Sequence, residues 1–306
     1  MEDALKAVES AYEGLGTGDN TNNPRTRVNS PGSRLQLMGG ACPDAGLTGT
    51  KVYNTGKAGT QFLVTVFDES EGQLRGLIEA DILGRLRTGA ASGVATDYLA
   101  CEDTTTMGII GTGSQARSQL RAVAAVRDIE CVQAFSRTPE HREKFATEMN
   151  DELGATVKPV DSAGDAVSGA DIVTTITSST DSVFDDEDIV EGTHINAAGS
   201  NSLARQEIPT RTVVGADRIV VDSIEQAKDE AGDTLTALEL GLVTWEGIQE
   251  IGDIIAGHAP GRSDASDVTL FNSLGLAVQD VSLAATALDY AENQDVGQEV
   301  SMFDKQ

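Results

Sequence analysis

A glycine-rich turn between an apolar run and a helical pattern is the most specific chemical signal in this sequence. Thr106–Ile110 is followed at once by Gly111-Thr112-Gly113-Ser114-Gln115-Ala116, the G-x-G-x-x-A spacing of dinucleotide-binding proteins. Gly111 suits a tight turn, Gly113 lets the backbone approach a pyrophosphate, and Ala116 keeps the following helix close to the sheet. The free N–H groups at the start of that helix favour phosphate. We therefore expect residues 111–116 to bind a dinucleotide.

The end of the next predicted strand distinguishes NADP from NAD. Cys131–Phe135 is followed by Ser136-Arg137-Thr138, where an NAD site usually carries an Asp or Glu for the ribose hydroxyls. No carboxylate is present there to repel a 2′-phosphate, and two hydroxyls and a guanidinium can donate to one. This pattern favours NADP(H), with NAD(H) still possible; the alternative is that Arg137 is a surface arginine without a contact.

Three basic residues are candidates for substrate chemistry. Lys51 lies in the middle of a predicted strand, where burial would lower its pKa and allow it to donate or accept a proton near neutral pH. Arg25 follows a proline in a polar segment, and Arg87 precedes the small residues 88–91; each guanidinium could hold a carboxylate through two hydrogen bonds. Taken singly, an exposed edge-strand lysine and two solvated arginines are the simpler interpretation.

The charge balance of the chain excludes several classes of partner. The 306 residues carry 49 acidic and 22 basic side chains, a formal net charge of −27, which disfavours binding to nucleic acid or to an anionic membrane. No apolar stretch is long enough to span a membrane and the N-terminus does not resemble a signal sequence, so we expect a cytoplasmic protein. An acid-rich, lysine-poor composition suits a very salty cytoplasm; the alternative is an acidic protein from an ordinary one.

The cysteines and histidines do not form a metal-binding pattern. Cys42, Cys101 and Cys131 lack C-x-x-C spacing, and the three histidines are scattered along the chain. We therefore expect neither a disulfide framework nor a bound metal ion.

The pattern of elements changes near residue 100. The first eighteen residues predict a helix and residues 19–33 a polar linker. Four short runs then predict an antiparallel sheet, followed by a helix over residues 81–100 whose small residues permit close packing; these strands are Arg34–Met38, Thr48–Asn54, Gln61–Asp68 and Leu74–Glu79.

From residue 101 onward, strands and helices alternate, which predicts a doubly wound parallel sheet. Further along, Trp245–Ala256 has the pattern of an amphipathic helix, Val268–Phe271 that of a last strand, and Leu274–Ala291 that of a closing helix. We expect an α/β protein in which residues 101–274 form a Rossmann domain. Residues 1–100 with 275–306 would form an α+β domain for substrate binding and dimerisation.

Five ordered blocks resemble the ornithine cyclodeaminase/mu-crystallin family, over nearly the whole chain from about residue 24 to 290. They are Arg87-Thr-Gly-Ala-Ala-Ser92 through Ala100, Ile109–Ala116, His194-Ile-Asn-Ala-Ala-Gly199, Thr269-Leu-Phe-Asn-Ser-Leu-Gly275 and Leu276-Ala-Val-Gln-Asp280. The resemblance implies a homodimer whose subunits each have a Rossmann domain beside an N-terminal α+β domain.

The resemblance also implies roles for individual residues. Arg25, rather than Arg27, matches one substrate-carboxylate ligand of the family, and Arg87 matches another. Lys51 falls at the position of the catalytic lysine beside the nicotinamide. The cofactor contacts implied outside the glycine-rich turn are Thr88, Ala198 and Gly199.

The chain departs from the family pattern in two places. Asn201 stands where cyclodeaminases and the characterised alanine dehydrogenase of the family carry a catalytic Asp. An amide can orient a water or an amine but cannot accept a proton at neutral pH, which weakens the cyclodeaminase interpretation. The sequence also begins about fifteen residues later than is usual in the family, which predicts a misplaced start codon or a shortened dimer sheet.

The activity that these observations favour is an NAD(P)-dependent oxidoreductase of small 2-amino or 2-imino acids, of the alanine dehydrogenase or ketimine and pyrroline-carboxylate reductase type. Hydride would move at the α-carbon while Lys51 donates or accepts a proton and Asn201 positions the nitrogen or a water. The alternatives are ornithine cyclodeaminase, which forms proline and ammonia, and a non-catalytic NADPH-binding protein of the crystallin type.

Overall fold

Two β-sheets organise the protein in a computed structural model that describes residues 1–300. A five-stranded antiparallel sheet is built from residues before 80, and an eight-stranded parallel sheet from residues after 105. This arrangement confirms the predicted α/β class with a separate antiparallel N-terminal sheet. Residues 301–306, at the end of the predicted substrate domain, lie outside the described residues. No helix among residues 1–300 is long and apolar enough to cross a membrane.

The antiparallel sheet is a meander in which each strand pairs with the next along the chain. A helix precedes it and another follows it. In chain order these elements are α1 (Glu2–Thr17), β1 (Thr21–Asn29), β2 (Ser33–Cys42), β3 (Leu47–Gly56), β4 (Gly59–Asp68), β5 (Leu74–Glu79) and α2 (Asp81–Leu99).

The predicted linker over residues 19–33 was wrong, because it contains strand β1, which pairs with β2. Its inward-facing Arg25 and Arg27 contact a buried carboxylate, that of Glu230, instead of apolar neighbours. The strand therefore lacks the apolar alternation that identifies strands in a sequence. Pro24 is tolerated because β1 is an edge strand with an irregular register at this point.

The parallel sheet has the strand order β12-β11-β13-β10-β9-β6-β7-β8. Its elements in chain order are β6 (Thr106–Ile110), α3 (Ser114–Val126), β7 (Cys131–Phe135), α4 (Pro139–Leu153), β8 (Thr156–Pro159), α5 (Ala163–Val167), β9 (Ile172–Thr175), β10 (His194–Ala197), α6 (Thr210–Gly215), β11 (Arg218–Val221), α7 (Ile224–Glu230), α8 (Gly232–Glu239), β12 (Ile248–Glu250), α9 (Ile251–Ile255) and β13 (Thr269–Asn272). The direction of winding reverses between β6 and β9, which is where doubly wound sheets bind ligands.

The predicted helix Trp245–Ala256 was also wrong. The segment begins with a 3-10 turn at Trp245–Gly247, continues as β12 paired with β11, and ends in the single-turn helix α9. Ile248, Ile251 and Ile254 are buried, so a strand followed by a helical turn produced the spacing of three that otherwise indicates one helix.

A last helix, α10 (Ala277–Gln294), returns the chain to the antiparallel sheet and packs on β2, β3 and α1. It begins three residues later than predicted, because Gly275 has φ +80° and Leu276 is extended. The predicted close packing of the small residues in α2 is confirmed: a Cβ on Gly89 would lie 2.3 Å from the carbonyl oxygen of Ser118 in α3. These contacts hold the two sheets side by side.

Candidate active site

A cleft of about 490 Å³ lies at the reversal point of the parallel sheet, between the ends of β6, β7 and β9. Gly111 forms its turn with φ +102°, and a Cβ there would lie 2.3 Å from the carbonyl oxygen of Ile176. A Cβ on Gly113 would instead project into open space. The backbone before α3 is thus bare where a phosphate group would approach the helix N-terminus. We call this the nucleotide cleft.

The wall of the nucleotide cleft after β7 carries hydroxyls and basic groups. Thr112 Oγ1 donates to Ser136 Oγ at 2.9 Å, and Ser136 donates to the carbonyl of Thr138 at 3.1 Å. Arg137 and His141 also line the cleft, and no Asp or Glu is among its lining residues. This wall can therefore accept a negatively charged group without repulsion. Ala116 is fully buried beneath it, against the sheet.

Lys51 lies on the inner face of β3, only 2% exposed, and donates to Asp280 Oδ1 at 2.6 Å. Arg87 Nε approaches the same oxygen at 3.3 Å. Asp280 is fully buried and its Oδ2 has no hydrogen-bond partner among the described residues. One carboxylate thus holds a lysine from the antiparallel sheet and an arginine from α2 at one point.

Burial and, to a smaller extent, the positive charge of Arg87 lower the pKa of Lys51 to about 8. Asp280 acts in the opposite direction by stabilising the ammonium form. The predicted lowering of the Lys51 pKa by burial is therefore confirmed. A lysine with this pKa exchanges its proton readily near neutral pH.

The orientation of Arg87 depends on a buried hydrogen-bond chain beneath it. Arg87 Nη1 donates to Gln279 Oε1 at 3.0 Å, and Gln279 Nε2 donates to the hydroxyl of Tyr12 at 2.6 Å. Tyr12 in turn donates to Asp222, whose other oxygen accepts the backbone N–H groups of residues 274 and 275. A Cβ on Gly275 would collide with the Arg87 guanidinium.

Arg25 and Arg27 share one buried carboxylate, that of Glu230 in α7. The remaining donors of Arg25 include Nη2, which binds the carbonyls of Leu274 and Gly275 at 3.0 Å each. Arg25 is buried, whereas Arg27 lines an open cleft. The structure thus turns Arg25 toward Glu230, and its direct contact with a substrate carboxylate stays a prediction.

The segment after β10 forms the other side of the site. Gly199 N–H donates to Glu207 Oε2 at 2.7 Å, and Thr177 N–H donates to the other oxygen at 2.6 Å. A Cβ on Gly199 would lie 2.4 Å from Glu207 Oε2 and 2.4 Å from the backbone nitrogen of Thr177, so only glycine fits. Burial raises the pKa of Glu207 to about 7. Ala198 and Asn201 line the same side, and the carbonyl of Asn201 accepts a hydrogen bond from Arg27 at 2.9 Å.

Adjoining clefts connect these groups. Arg87, Thr88 and Gln115 line both the cleft beside Lys51 and the one beside Asn201, and Ser114 lines both the former and a groove that reaches Gly113. The nucleotide cleft, this groove and the cleft beside Lys51 share lining residues and together extend from Arg137 past the glycine-rich turn to Lys51. We call the part around Lys51 and Arg87 the substrate cleft.

Sequence reasoning missed the anionic half of this site. Asp280, Glu230 and Glu207 each place a buried carboxylate against a predicted site residue. Asp280 could have been suspected, because a Gln-Asp pair interrupts the apolar face of a predicted helix. Among residues 1–300 no group of three or more His, Cys, Asp or Glu side chains could hold a metal ion.

Comparison with known proteins places this arrangement among amino- and imino-acid enzymes. The ornithine cyclodeaminase/mu-crystallin family model matches residues 1–295. Delta(1)-pyrroline-2-carboxylate reductase from Bacillus thuringiensis is 39% identical over 246 residues, 80% of this chain and 75% of its own.

Two solved structures are similar over almost their full length. The Thermococcus litoralis Delta(1)-pyrroline-2-carboxylate reductase, in complex with NADH and L-proline, has a TM-score of 0.92 and 34% identity, covering 97% of this chain and 95% of its own. An archaeal alanine dehydrogenase dimer with bound NAD has a TM-score of 0.93 and 31% identity, covering 99% and 95%.

Proposed function

This chain belongs to the ornithine cyclodeaminase/mu-crystallin family, and we propose that Lys51 is the proton donor for reduction of a small 2-imino acid at the substrate cleft. The chain is an NAD(P)-dependent oxidoreductase that acts on imino or amino acids. The observation that carries the role of Lys51 is its buried contact with Asp280 beside Arg87. In the reverse direction, the neutral amine would accept the proton from an amino acid.

The residues of the nucleotide cleft fit a nicotinamide dinucleotide. The bare backbone at Gly113 and the N-terminus of α3 suit the pyrophosphate. Thr88 and Gln115, with Ala198 and Gly199, line the path from there to Lys51 and are proposed cofactor contacts. When bound, the cofactor supplies or accepts the hydride.

The chain's own groups orient the imino acid and exchange its proton. Arg87 is held by Asp280 and Gln279 and is the proposed ligand of the substrate carboxylate. Lys51 gives a proton to the imine nitrogen as the imine carbon takes up hydride, which leaves a neutral lysine and an amine. Asn201, at the opposite wall, can hydrogen-bond the nitrogen or a water. Arg25 would act directly only if it exchanged Glu230 for the substrate.

Loss of absorbance from reduced nicotinamide tests this proposal. We expect it with 1-pyrroline-2-carboxylate, or with pyruvate plus ammonia. An ornithine cyclodeaminase would instead release ammonia from ornithine without a net change in absorbance. The neutral Asn201 argues against that alternative, because it cannot serve as the base for attack by water. A crystallin-type protein would bind NADPH and turn over no member of a broad panel.

We also propose that NADP(H) is preferred over NAD(H). The support is the cationic wall of the nucleotide cleft, where Arg137 is exposed and no carboxylate is present. Arg137→Asp is expected to raise the KM for NADPH about tenfold or more, because a carboxylate would repel the 2′-phosphate, and to lower the KM for NADH. Steady-state kinetics with both cofactors measure the change. Unaltered KM values for both would show that Arg137 does not select the cofactor.

A homodimer formed through the antiparallel sheet is a further proposal. The face of this sheet opposite α10 exposes large apolar side chains from four strands. Their exposed fractions are 54% for Val28, 37% for Leu37, 39% for Leu63 and 57% for Leu77. Apolar surface of this kind favours burial against another chain.

We further propose that the protein works in a very salty cytoplasm, because a subunit charge of −27 opposes both folding and dimerisation unless salt screens it. We expect light scattering in multimolar KCl to give the mass of a dimer, and gradual removal of salt to dissociate and unfold the protein.

Leu63→Asp is expected to give a monomer at the same KCl concentration. A dimer that persists in this variant would exclude the sheet face as the interface, and full stability without salt would exclude the halophilic origin.

A further inference from the structure

An arginine-lined cleft of about 560 Å³ adjoins the substrate cleft. It lies between the loop Asn201–Arg205 and the ends of β1–β4 that flank the β1–β2 and β3–β4 turns. Arg27, Arg34 and Arg205 line it. No Asp or Glu is among its lining residues. Three arginines thus surround one opening in a chain that has 49 acidic and only 22 basic residues. We call this opening the arginine cleft.

The positive charge of the arginine cleft is only partly compensated. Arg27 shares the single carboxylate of Glu230 with Arg25, so this trio keeps one positive charge. Arg34 donates to the neutral amide oxygen of Asn29 at 2.9 Å. The Arg205 side chain makes no hydrogen bond or ion pair with any of residues 1–300. The local balance of three positive charges would attract an anion.

The arginine cleft shares lining residues with the clefts around Lys51 and Arg87. Thr60 lines both the arginine cleft and the substrate cleft. Tyr53, also on the wall, is two residues beyond Lys51 on the same face of β3. Asn201 lines the arginine cleft and also the cleft that contains Arg87. This junction residue is uncharged, whereas a carboxylate there would repel an anionic group passing into the arginine cleft.

We propose that the substrate carries a second carboxylate, which Arg205 and Arg34 bind in the arginine cleft while the reacting imino-acid end lies at Lys51 and Arg87. The substrate class is then a 2-imino dicarboxylate of four or five carbons, and the product the corresponding amino dicarboxylate. This inference rests on the proposed imino-acid reduction and narrows it. Guanidinium groups bind carboxylates through paired, charge-assisted hydrogen bonds, which persist in salt better than long-range attraction does.

Three 2-oxo acids with ammonia and one preformed cyclic imine, assayed with NADPH in multimolar KCl, test the inference. Oxaloacetate and 2-oxoglutarate with ammonia supply the dicarboxylic imines; pyruvate with ammonia and 1-pyrroline-2-carboxylate supply monocarboxylic ones. Omitting ammonia controls for reduction of the ketone itself. The variants are Arg205→Ala, Arg205→Lys and Arg34→Ala. Arg211→Ala is the matched control, because Arg211 is an arginine whose side chain is 82% exposed and which lies outside all the clefts described above.

We expect a higher kcat/KM for the dicarboxylic imines, and Arg205→Ala to raise their KM about tenfold, as loss of a hydrogen bond to a charged group would. The KM of the Arg205→Ala variant for the monocarboxylic imines should not change. Arg205→Lys should retain part of the preference for dicarboxylic imines, and Arg211→Ala should behave as the parent protein. Preference for monocarboxylic imines, or an equal effect of Arg205→Ala on all substrates, overturns the inference and leaves the proposed function intact. Failure to reduce any imine overturns both.

Discussion

Lys51→Met is expected to lower kcat/KM for imine reduction by about 10²–10⁴-fold, the usual contribution of a positioned proton donor. Methionine fills a similar volume on the inner face of β3 and has no proton to give. Asp280 keeps Arg87 as its partner, so the carboxylate is not left without a counter-charge. Steady-state kinetics over a range of imino-acid concentrations give kcat/KM, and NADPH fluorescence gives the cofactor affinity, which we expect to be nearly unchanged.

Lys57→Met is the matched control, because Lys57 is an exposed lysine in the turn between β3 and β4. It removes the same charge from the same sheet, and its kcat/KM should equal that of the parent protein. If Lys51→Met also retained the parent rate, the imine would receive its proton from another group, and the proposed mechanism would be wrong.

The second large effect is expected at Asp280. Asp280→Asn keeps the shape of the side chain but leaves two buried cations, Lys51 and Arg87, without their shared anion. Breaking a buried ion pair in this way destabilises a protein by about 3–5 kcal/mol, and we expect the free energy of unfolding in concentrated KCl to fall by that order. Asp289→Asn, at an exposed position of the same helix, should leave it unchanged.

The pH dependence separates the role of Asp280 in the site from its role in stability. In the reductive direction Lys51 must be protonated, so kcat/KM of the parent protein should fall as pH rises through about 8. Asp280 raises the pKa of Lys51, and its removal should therefore start this fall at a lower pH. The part of the destabilisation due to Lys51 should grow as pH decreases below about 8, where the buried ammonium persists. An unshifted pH profile would contradict the coupling.

Local patterns were sufficient to predict the nucleotide cleft. The apolar run and the glycine spacing that identify the turn at Gly111 and the start of α3 all lie within Thr106–Ala116, although the turn also packs against the distant Ile176. The strands β3 to β5 were likewise recognisable from short apolar runs, and the strands of the parallel sheet other than β12 from their alternation with helices.

Residues far apart in sequence explain what was missed. Lys51 and Asp280 are separated by 229 positions, and Arg25 and Glu230 by 205, so no spacing rule links the members of either pair. The strand β1 escaped notice for the same reason, since its inward arginines gain their stability from Glu230 rather than from apolar neighbours. Family resemblance predicted a catalytic role for Lys51, but the carboxylate of Asp280 that contacts it became visible only in three dimensions.

The late position of two elements in the chain has a consequence for biosynthesis. Strand β13, residues 269–272, inserts between β10 and β11 near the middle of the parallel sheet, and α10, residues 277–294, covers the antiparallel one. Neither sheet can complete its packing until these two elements have left the ribosome, even though its first strands emerge much earlier. The protein therefore gains its Lys51–Asp280 ion pair only after residue 280 has been translated, so a shorter nascent chain lacks the carboxylate partner of the proposed proton donor.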